Sequence, residues 1–242
     1  MSERVDWFAG RVAETYDGDG ETASHGAVDP VVDFLEPFAA GGALELGIGT
    51  GRIALPLAAR GVRVHGIDLS PDMVAQLRKK PGGADIPVAI GDFAATSVDQ
   101  RFSLVYLVFN TIMNLTSQDA QVACFRNTAA HLEPGGRFVI EVGVPDLQRL
   151  PRGEVFRPFT VRPDRLGIDE YDVLTQGLVS HHYAIDGGSV ETVSMPFRYV
   201  WPSELDLMAQ LAAMSLEARW AGWRREPFTA ESTSHVSVWV AE

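Results

Sequence analysis

Residues 43–61, ALELGIGTGRIALPLAARG, constrain this chain more than any other stretch. A short apolar run, Ala43 to Leu46, reads as a buried strand, and Gly47, Gly49 and Gly51 follow at every second position. From Arg52 to Arg60, Ile53, Ala54, Leu57 and Ala58 recur at helical spacing. A strand, a glycine-rich turn and a helix, in that order, bring backbone close to a ligand. Glycine suits such a turn because a Cβ would clash there or because φ must be positive. The helix start adds unpaired N–H groups and a partial positive charge, which suit a phosphate or a carboxylate. Without a ligand the same residues would form only a tight strand-to-helix turn.

Spacing narrows the ligand. A dinucleotide fingerprint wants G-x-G-x-x-G. Here the third glycine comes one residue early, Arg52 follows it, and Glu45 stands two residues before the first glycine. E-x-G-x-G-x-G at the end of a first strand resembles motif I of the class I S-adenosylmethionine-dependent methyltransferases. The resemblance implies that the acid lies near the methionine amino group and that the glycines let the loop pass under the cofactor.

The rest of the chain suits an α/β fold. Val5, Phe8, Val12 and Tyr16 predict a helix over residues 3–17, followed by a polar glycine-rich loop at 16–26. A second helix is expected over 29–39, with Asp29 as N-cap and Pro30 at its first position. Further strands are expected at 62–67, 87–90, 102–109 and 137–144, with helices from Ser70-Pro71 to Lys80 and over 118–132. Pro134-Gly135-Gly136 reads as a turn. Apolar strands alternating with helices mean a parallel sheet with crossover helices. After Pro145 the alternation stops. Strands at 155–161, 171–175, 178–185 and 190–200, with an Asp186-Gly187-Gly188 hairpin, predict a β insertion. A helix at 202–213, capped by Trp201 or Ser203, and strands at 215–223 and 235–241 complete the sheet with an antiparallel closing pair. The chain therefore divides at 1–145, 146–200 and 201–242: cofactor core with N-terminal lid helices, insertion on the substrate side or in a dimer contact, and closing elements of the core.

Open parallel sheets bind ligands at the carboxyl ends of their strands. Glu45 to Gly51, Asp68, Asp92-Phe93 and Phe109-Asn110 stand there. Three acids on one rim suit a nucleoside that ends in an amino acid. Asp68 can accept both ribose hydroxyls, Asp92 can accept from the adenine amine beside the Phe93 N–H, and Leu69 can pack on the adenine face. ALELGIGTG, GIDLS and GDF, in this order and spacing, resemble motifs I to III of the methyltransferase family, and FSLVYLVFNTIMNL and LEPGGRFVIEV resemble its fourth and fifth strands. The likeness covers about residues 28–145 and implies a Rossmann-like, mostly parallel sheet. It also implies a cofactor pocket lined by Glu45, Gly47, Gly49, Gly51, Asp68, Leu69, Asp92, Phe93, Phe109 and Asn110, with Tyr16 over the methionine end. Tyr16-Asp17, FNTIMNL and the β insertion further resemble bacterial small-molecule methyltransferases of the amino-sugar N-methyltransferase type. One departure is Ser103, where the family often has an acid near the strand start.

Composition sets the remaining expectations. A net charge of −12, from 32 acids and 20 Lys plus Arg, repels phosphate backbones, so no nucleic-acid partner is expected. No run approaches the roughly 18 apolar residues of a membrane span, and MSERVDWFAG carries charges where a signal peptide has its apolar core. The single cysteine, Cys124, excludes a disulfide framework and a cysteine-clustered metal site. These features predict a cytoplasmic protein, monomer or homodimer, that uses S-adenosylmethionine on a small molecule and no metal. His25 in the polar loop and His181 or His182 in the insertion are the substrate-side candidates. His65 reads as a core or rim histidine, and Trp220 and Trp223 as packing for the insertion. Two other readings share these features. A nicotinamide oxidoreductase would share the sheet and Asp68, but would want a later third glycine and no acid at 92. A binding protein without methyl transfer would share every motif.

Overall fold

The computed structural model describes residues 5–18 and 28–242. The first part of the chain forms α1 (Arg11–Thr15), α2 (Val28–Leu35), β1 (Ala43–Leu46), α3 (Ala54–Ala59), β2 (Val64–Asp68), α4 (Pro71–Arg78), β3 (Val88–Ile90), β4 (Phe102–Leu107), α5 (Gln118–His131) and β5 (Leu132–Gly143). The insertion supplies β6 (Phe156–Arg162), β7 (Arg165–Asp172), β8 (Gly177–Asp186) and β9 (Ser189–Arg198). The chain closes with α6 (Pro202–Gln210), β10 (Met214–Trp220) and β11 (Ser234–Ala241).

Seven strands form one sheet in the order β10-β11-β5-β4-β1-β2-β3, and β6 to β9 form a second sheet in chain order. β1 pairs in parallel with β2 and β4, β2 with β3, and β4 with β5. β11 runs antiparallel to both β5 and β10. Both faces of the main sheet are covered, which is why its strands read as continuous apolar runs. Leu44, Leu46, Val105, Phe138 and Ile140 pack toward Phe125 of α5 and Leu205 and Met208 of α6. Ala43, Leu104, Tyr106 and Val139 pack toward Val31 and Leu35 of α2 and Leu57 of α3. Among the described residues, no helix is long and apolar enough to cross a membrane.

Several elements differ from the sequence reading. Helix is confined to Arg11–Thr15 in the first segment, because Gly10 takes φ 59° and Trp7, Phe8 and Gly10 sit in turns; residues 3 and 4 lie outside the described residues. α2 ends at Leu35, and Glu36–Phe38 tighten into a 3₁₀ turn. Pro37 has no N–H for the α-helical bond to Asp33. Asp29 lies inside α2 instead of capping it. Pro134-Gly135-Gly136 sits within β5 as a bulge: three residues of β4, Phe102 to Leu104, correspond to six of β5, Leu132 to Arg137. In the insertion, the second strand is Arg165–Asp172, reached by a turn at Pro163-Asp164, while Val173–Gln176 form the next turn. α6 stops at Gln210, and Trp201 caps it without a side-chain bond.

Candidate active site

The glycine turn folds back over β2. Gly47 and Ile48 both donate to the Ile67 carbonyl, at 2.8 and 3.2 Å. Gly47 has φ 72°, and a Cβ there would stand 2.7 Å from Thr111 Cγ2. A side chain at Gly51, φ 77°, would run into Leu77 of α4. The turn is thus held between the segment that follows β4 and the helix that follows β2, and only glycine meets both demands.

Asp68 ends β2 and ties that strand to the turn. Its Oδ2 accepts Gly49 N–H at 2.6 Å, and its Oδ1 accepts Ser70 N–H at 2.8 Å. Burial outweighs these two donors and raises the carboxyl above its ordinary range. Ser70 in turn caps α4, accepting Met73 N–H. Asp92, past β3, is half-buried, and its Oδ1 accepts Ala94 N–H at 2.9 Å; Phe93 beside it is buried. Leu69 is half-buried next to Asp68.

Glu45 lies deeper than the sequence reading places it. It is 3% exposed, and its Oε2 accepts the Tyr106 hydroxyl at 2.8 Å. Burial raises its carboxyl to about 8, against the Tyr106 bond and the Ala54 N–H at the start of α3. The acid therefore supports the glycine turn from below.

The end of β4 carries unusual backbone. Phe109 and Asn110 have φ 56° and 60°, a region that residues with a Cβ avoid. β5 holds them there. Phe109 N–H donates to Glu141 Oε2 at 2.7 Å, Asn110 N–H donates to the Glu141 carbonyl at 3.3 Å, and Asn110 Oδ1 accepts Gly143 N–H at 2.6 Å. Such strain persists only where neighbours over-determine it, and it clusters at functional sites. The Phe109 ring then lies 5.1 Å from the Arg52 guanidinium, and the Tyr16 ring lies 5.4 Å from the same group.

The N-terminal segment reaches this rim. Thr50 Oγ1 donates to Asp17 Oδ1 at 2.8 Å, and Lys80 Nζ meets Asp17 Oδ2 and the Thr50 carbonyl at 2.7 Å each. Asp17, Arg52, Lys80 and Glu141 were missed from the sequence as site residues. Asp17 and Arg52 stand beside motifs that were recognised; Lys80 and Glu141 carry no local signal, since each reaches the site from another element.

The histidines separate. His181 turns to the outer face of the insertion sheet, with Nε2 3.2 Å from Glu170 and Nδ1 2.8 Å from Ser194. His182 points to the opposite face, toward Ser180. His25 lies outside the described residues. His65 packs against Phe102, ring centroids 5.2 Å apart, near the start of β2. Trp220 and Trp223 pack on Phe34 of α2, at 5.5 and 5.3 Å, so they belong to the core and not to the insertion. An open groove of about 560 Å³ beside them, lined by Asp29, Phe34 and Arg225 among others, includes none of the strand-end residues above.

A parallel sheet with an antiparallel closing pair, a glycine turn after β1, an acid at the end of β2 and another past β3 fit the methyltransferase class. Comparison with known proteins agrees: the methyltransferase domain family model matches residues 43–136. The chain is 35% identical to the CcbJ methyltransferase from Streptomyces caelestis, covering 98% of this chain and 100% of that one, with a TM-score of 0.84. It is 29% identical to the cypemycin N-terminal methyltransferase of Streptomyces sp over 81% of each chain. It is 34% identical to the dTDP-3-amino-3,6-dideoxy-alpha-D-glucopyranose N,N-dimethyltransferase of Streptomyces fradiae, over 55% of this chain and 54% of that one. The chain belongs to the S-adenosylmethionine-dependent methyltransferases. S-adenosylmethionine is its methyl donor.

Proposed function

We propose that this enzyme methylates a nitrogen of a small-molecule acceptor in the cytoplasm. The observation that carries the reading is the covered rim: the glycine turn and Asp68 meet at one edge of the sheet, and Tyr16-Asp17 lies across it. The residues present fit the cofactor. Asp68 would accept the ribose hydroxyls; two carboxylate oxygens take about four bonds, and Gly49 and Ser70 supply two. Asp92 and the Phe93 N–H would meet adenine, with Leu69 on its face. Gly47, Gly49 and Gly51 would carry the turn beneath the cofactor while Glu45 braces it. Arg52 offers a cation, and Tyr16 a hydroxyl, for the methionine carboxylate; Phe109 and Asn110 would border the methyl end.

When bound, S-adenosylmethionine supplies an electrophilic methyl on a sulfonium. The chain's task is to hold the acceptor atom in line with it, an effect worth up to about 7–11 kcal/mol. Closing Tyr16 over the rim would exclude water, which favours a reaction that moves positive charge out of the sulfonium. Nitrogen is favoured over oxygen because an uncharged amine attacks without a base, whereas a hydroxyl needs one nearby. The name of one relative, an N,N-dimethyltransferase of an amino sugar, specifies N-methyl transfer. In this reading the chain divides its work between a cofactor core at 1–145, an acceptor-side insertion at 146–200 and closing elements at 201–242. The test is product analysis with trideuteriomethyl-labelled S-adenosylmethionine and separate small-molecule and protein fractions of a bacterial extract. The label is expected on nitrogen in the small-molecule fraction. Label confined to protein, or found on oxygen, would refute the proposal.

A further inference from the structure

One face of the insertion sheet is apolar where it meets the rim segments and turns polar one step further along its strands. Tyr171, Leu178 and Tyr199 are buried, with Met113, Leu147 and Leu150 packed against them. Met113 belongs to the 3₁₀ turn Thr111–Asn114 that follows Phe109 and Asn110, and Leu147 lies just past β5. This face therefore looks onto the segments that leave two parallel strands at their C-terminal ends. Side chains alternate along a strand, so Asp169 shares the face with Tyr171, and Ser180 and His182 share it with Leu178. Asp169 stands opposite Ser180 in the β7–β8 register. Ser180, 8% exposed, hydrogen-bonds Asp169 and lies 3.3 Å from His182 Nε2. The Phe159 ring walls the cluster, edge-on to His182 at 5.3 Å.

Arg157 lies near Asp169, but it is paired with Asp146 at 2.5 Å and hydrogen-bonded to Tyr171, while Arg149 reaches Asp146 from the other side at 3.9 Å. The Arg157 guanidinium is thus divided between Asp146, Tyr171 and Asp169. Burial raises the Asp169 carboxyl, against the Ser180 bond and the fields of His182, Arg157 and His181. Its surroundings disfavour the charged form, and an N–H donor from outside would supply what they lack.

We infer that Asp169, Ser180 and His182 form the acceptor subsite, and that the acceptor is an amine flanked by hydroxyl groups. Asp169 takes the amine N–H, and Ser180 and His182 take the neighbouring hydroxyls. The inference rests on the reading of the chain as a small-molecule N-methyltransferase and adds the residues that select the amine.

Calorimetry on protein loaded with S-adenosylhomocysteine decides it. The probes are a set of amino hexoses and the hexoses that carry a hydroxyl in place of the amine. At least one amino hexose is expected to bind, and its hydroxyl counterpart to bind about tenfold or more weakly, since a charged hydrogen bond is lost. Asp169→Asn should remove that preference while the affinity for S-adenosylhomocysteine, which reports the fold, stays within about twofold. His182→Gln should weaken both sugars by about threefold or more through a lost hydrogen bond. The subsite is overturned if no amino hexose binds, if amine and hydroxyl bind alike, or if Asp169→Asn lowers only thermal stability and leaves binding intact. Unchanged sugar binding in His182→Gln overturns its place in the subsite. Failure of S-adenosylhomocysteine to bind the wild-type protein would instead sink the cofactor assignment.

Discussion

Single residues at the rim serve both ligand and backbone. Asp68 holds Gly49 and Ser70 before any ligand arrives. Asp68→Ala should therefore cost more than two ribose contacts. Each charged hydrogen bond contributes about 1.5–3 kcal/mol, so calorimetry should show at least about a tenfold loss of S-adenosylhomocysteine affinity. Glu45 gives a test in pH. Its folded value is raised to about 8, chiefly by burial, while a free carboxyl titrates near 4.5. Between those values the native state keeps a proton that the unfolded chain has released, so this stability is complete below 4.5 and lost as pH rises through 8. The loss can reach about 1.4 kcal/mol per pH unit. Urea unfolding from pH 5 to 9 should show Glu45→Gln losing less stability than wild type. His235 acts in the opposite direction. Burial and then Arg219 lower it to about 4, and its buried Nε2 has no hydrogen-bond partner. Its stability is present above about 6.5, the unfolded value, and is lost as pH falls toward 4.

At the scale of elements, the N-terminal segment is a strap laid across several others. Gly10 N–H donates to Asp72 of α4 at 2.7 Å, Arg11 reaches Glu191 of β9 at 3.3 Å, and Asp17 bridges Thr50 and Lys80. Exposed ion pairs contribute only about 0–1 kcal/mol each, so the strap can open at modest cost. Amide exchange over residues 5–18 should be faster without S-adenosylhomocysteine than with it, and faster still in Asp17→Ala. Equally slow exchange in all three samples would mean the strap is a fixed part of the core. The link between β4 and β5 is stiffer. Asn110→Val should destabilise by about 1–3 kcal/mol, since a β-branched residue is strained at φ 60° and the Gly143 bond is lost.

At the scale of the whole molecule, one buried polar network joins the insertion to the core. Arg198, at the end of β9 and 4% exposed, donates to Gln121 of α5, Gln176 and Glu204 of α6. Gln121 Nε2 returns a bond to the Arg198 carbonyl, and Gln176 Nε2 bonds the Tyr199 carbonyl. Removing one partner of such a pair leaves a charge uncompensated, at about 3–5 kcal/mol. Arg198→Met should lower the urea midpoint accordingly. It should weaken acceptor binding more than S-adenosylhomocysteine binding, because the network anchors the insertion and not the glycine turn.

The sequence by itself determined the parallel sheet, the glycine turn and the strand-end acids, because each leaves a local signal. Strands buried on both faces read as apolar runs; a turn with positive φ calls for glycine; a cap such as Ser70 precedes its helix directly. The insertion was legible as β structure, but its second strand, expected at 171–175, lies at Arg165–Asp172, because the chain turns at Pro163-Asp164 and again at Val173–Gln176. Only the tertiary structure decided what depends on distance along the chain. Glu45 became a buried brace because Tyr106 lies beside it across the sheet. Arg52 entered the site because Tyr16 and Phe109 flank it from two other segments. Alternation along β8 already put His181 and His182 on opposite faces, but which of the two shares the face with Leu178 that packs on the rim segments was decided only by how the insertion sheet docks. Pairings of this kind are set by packing between elements, and no local pattern encodes them.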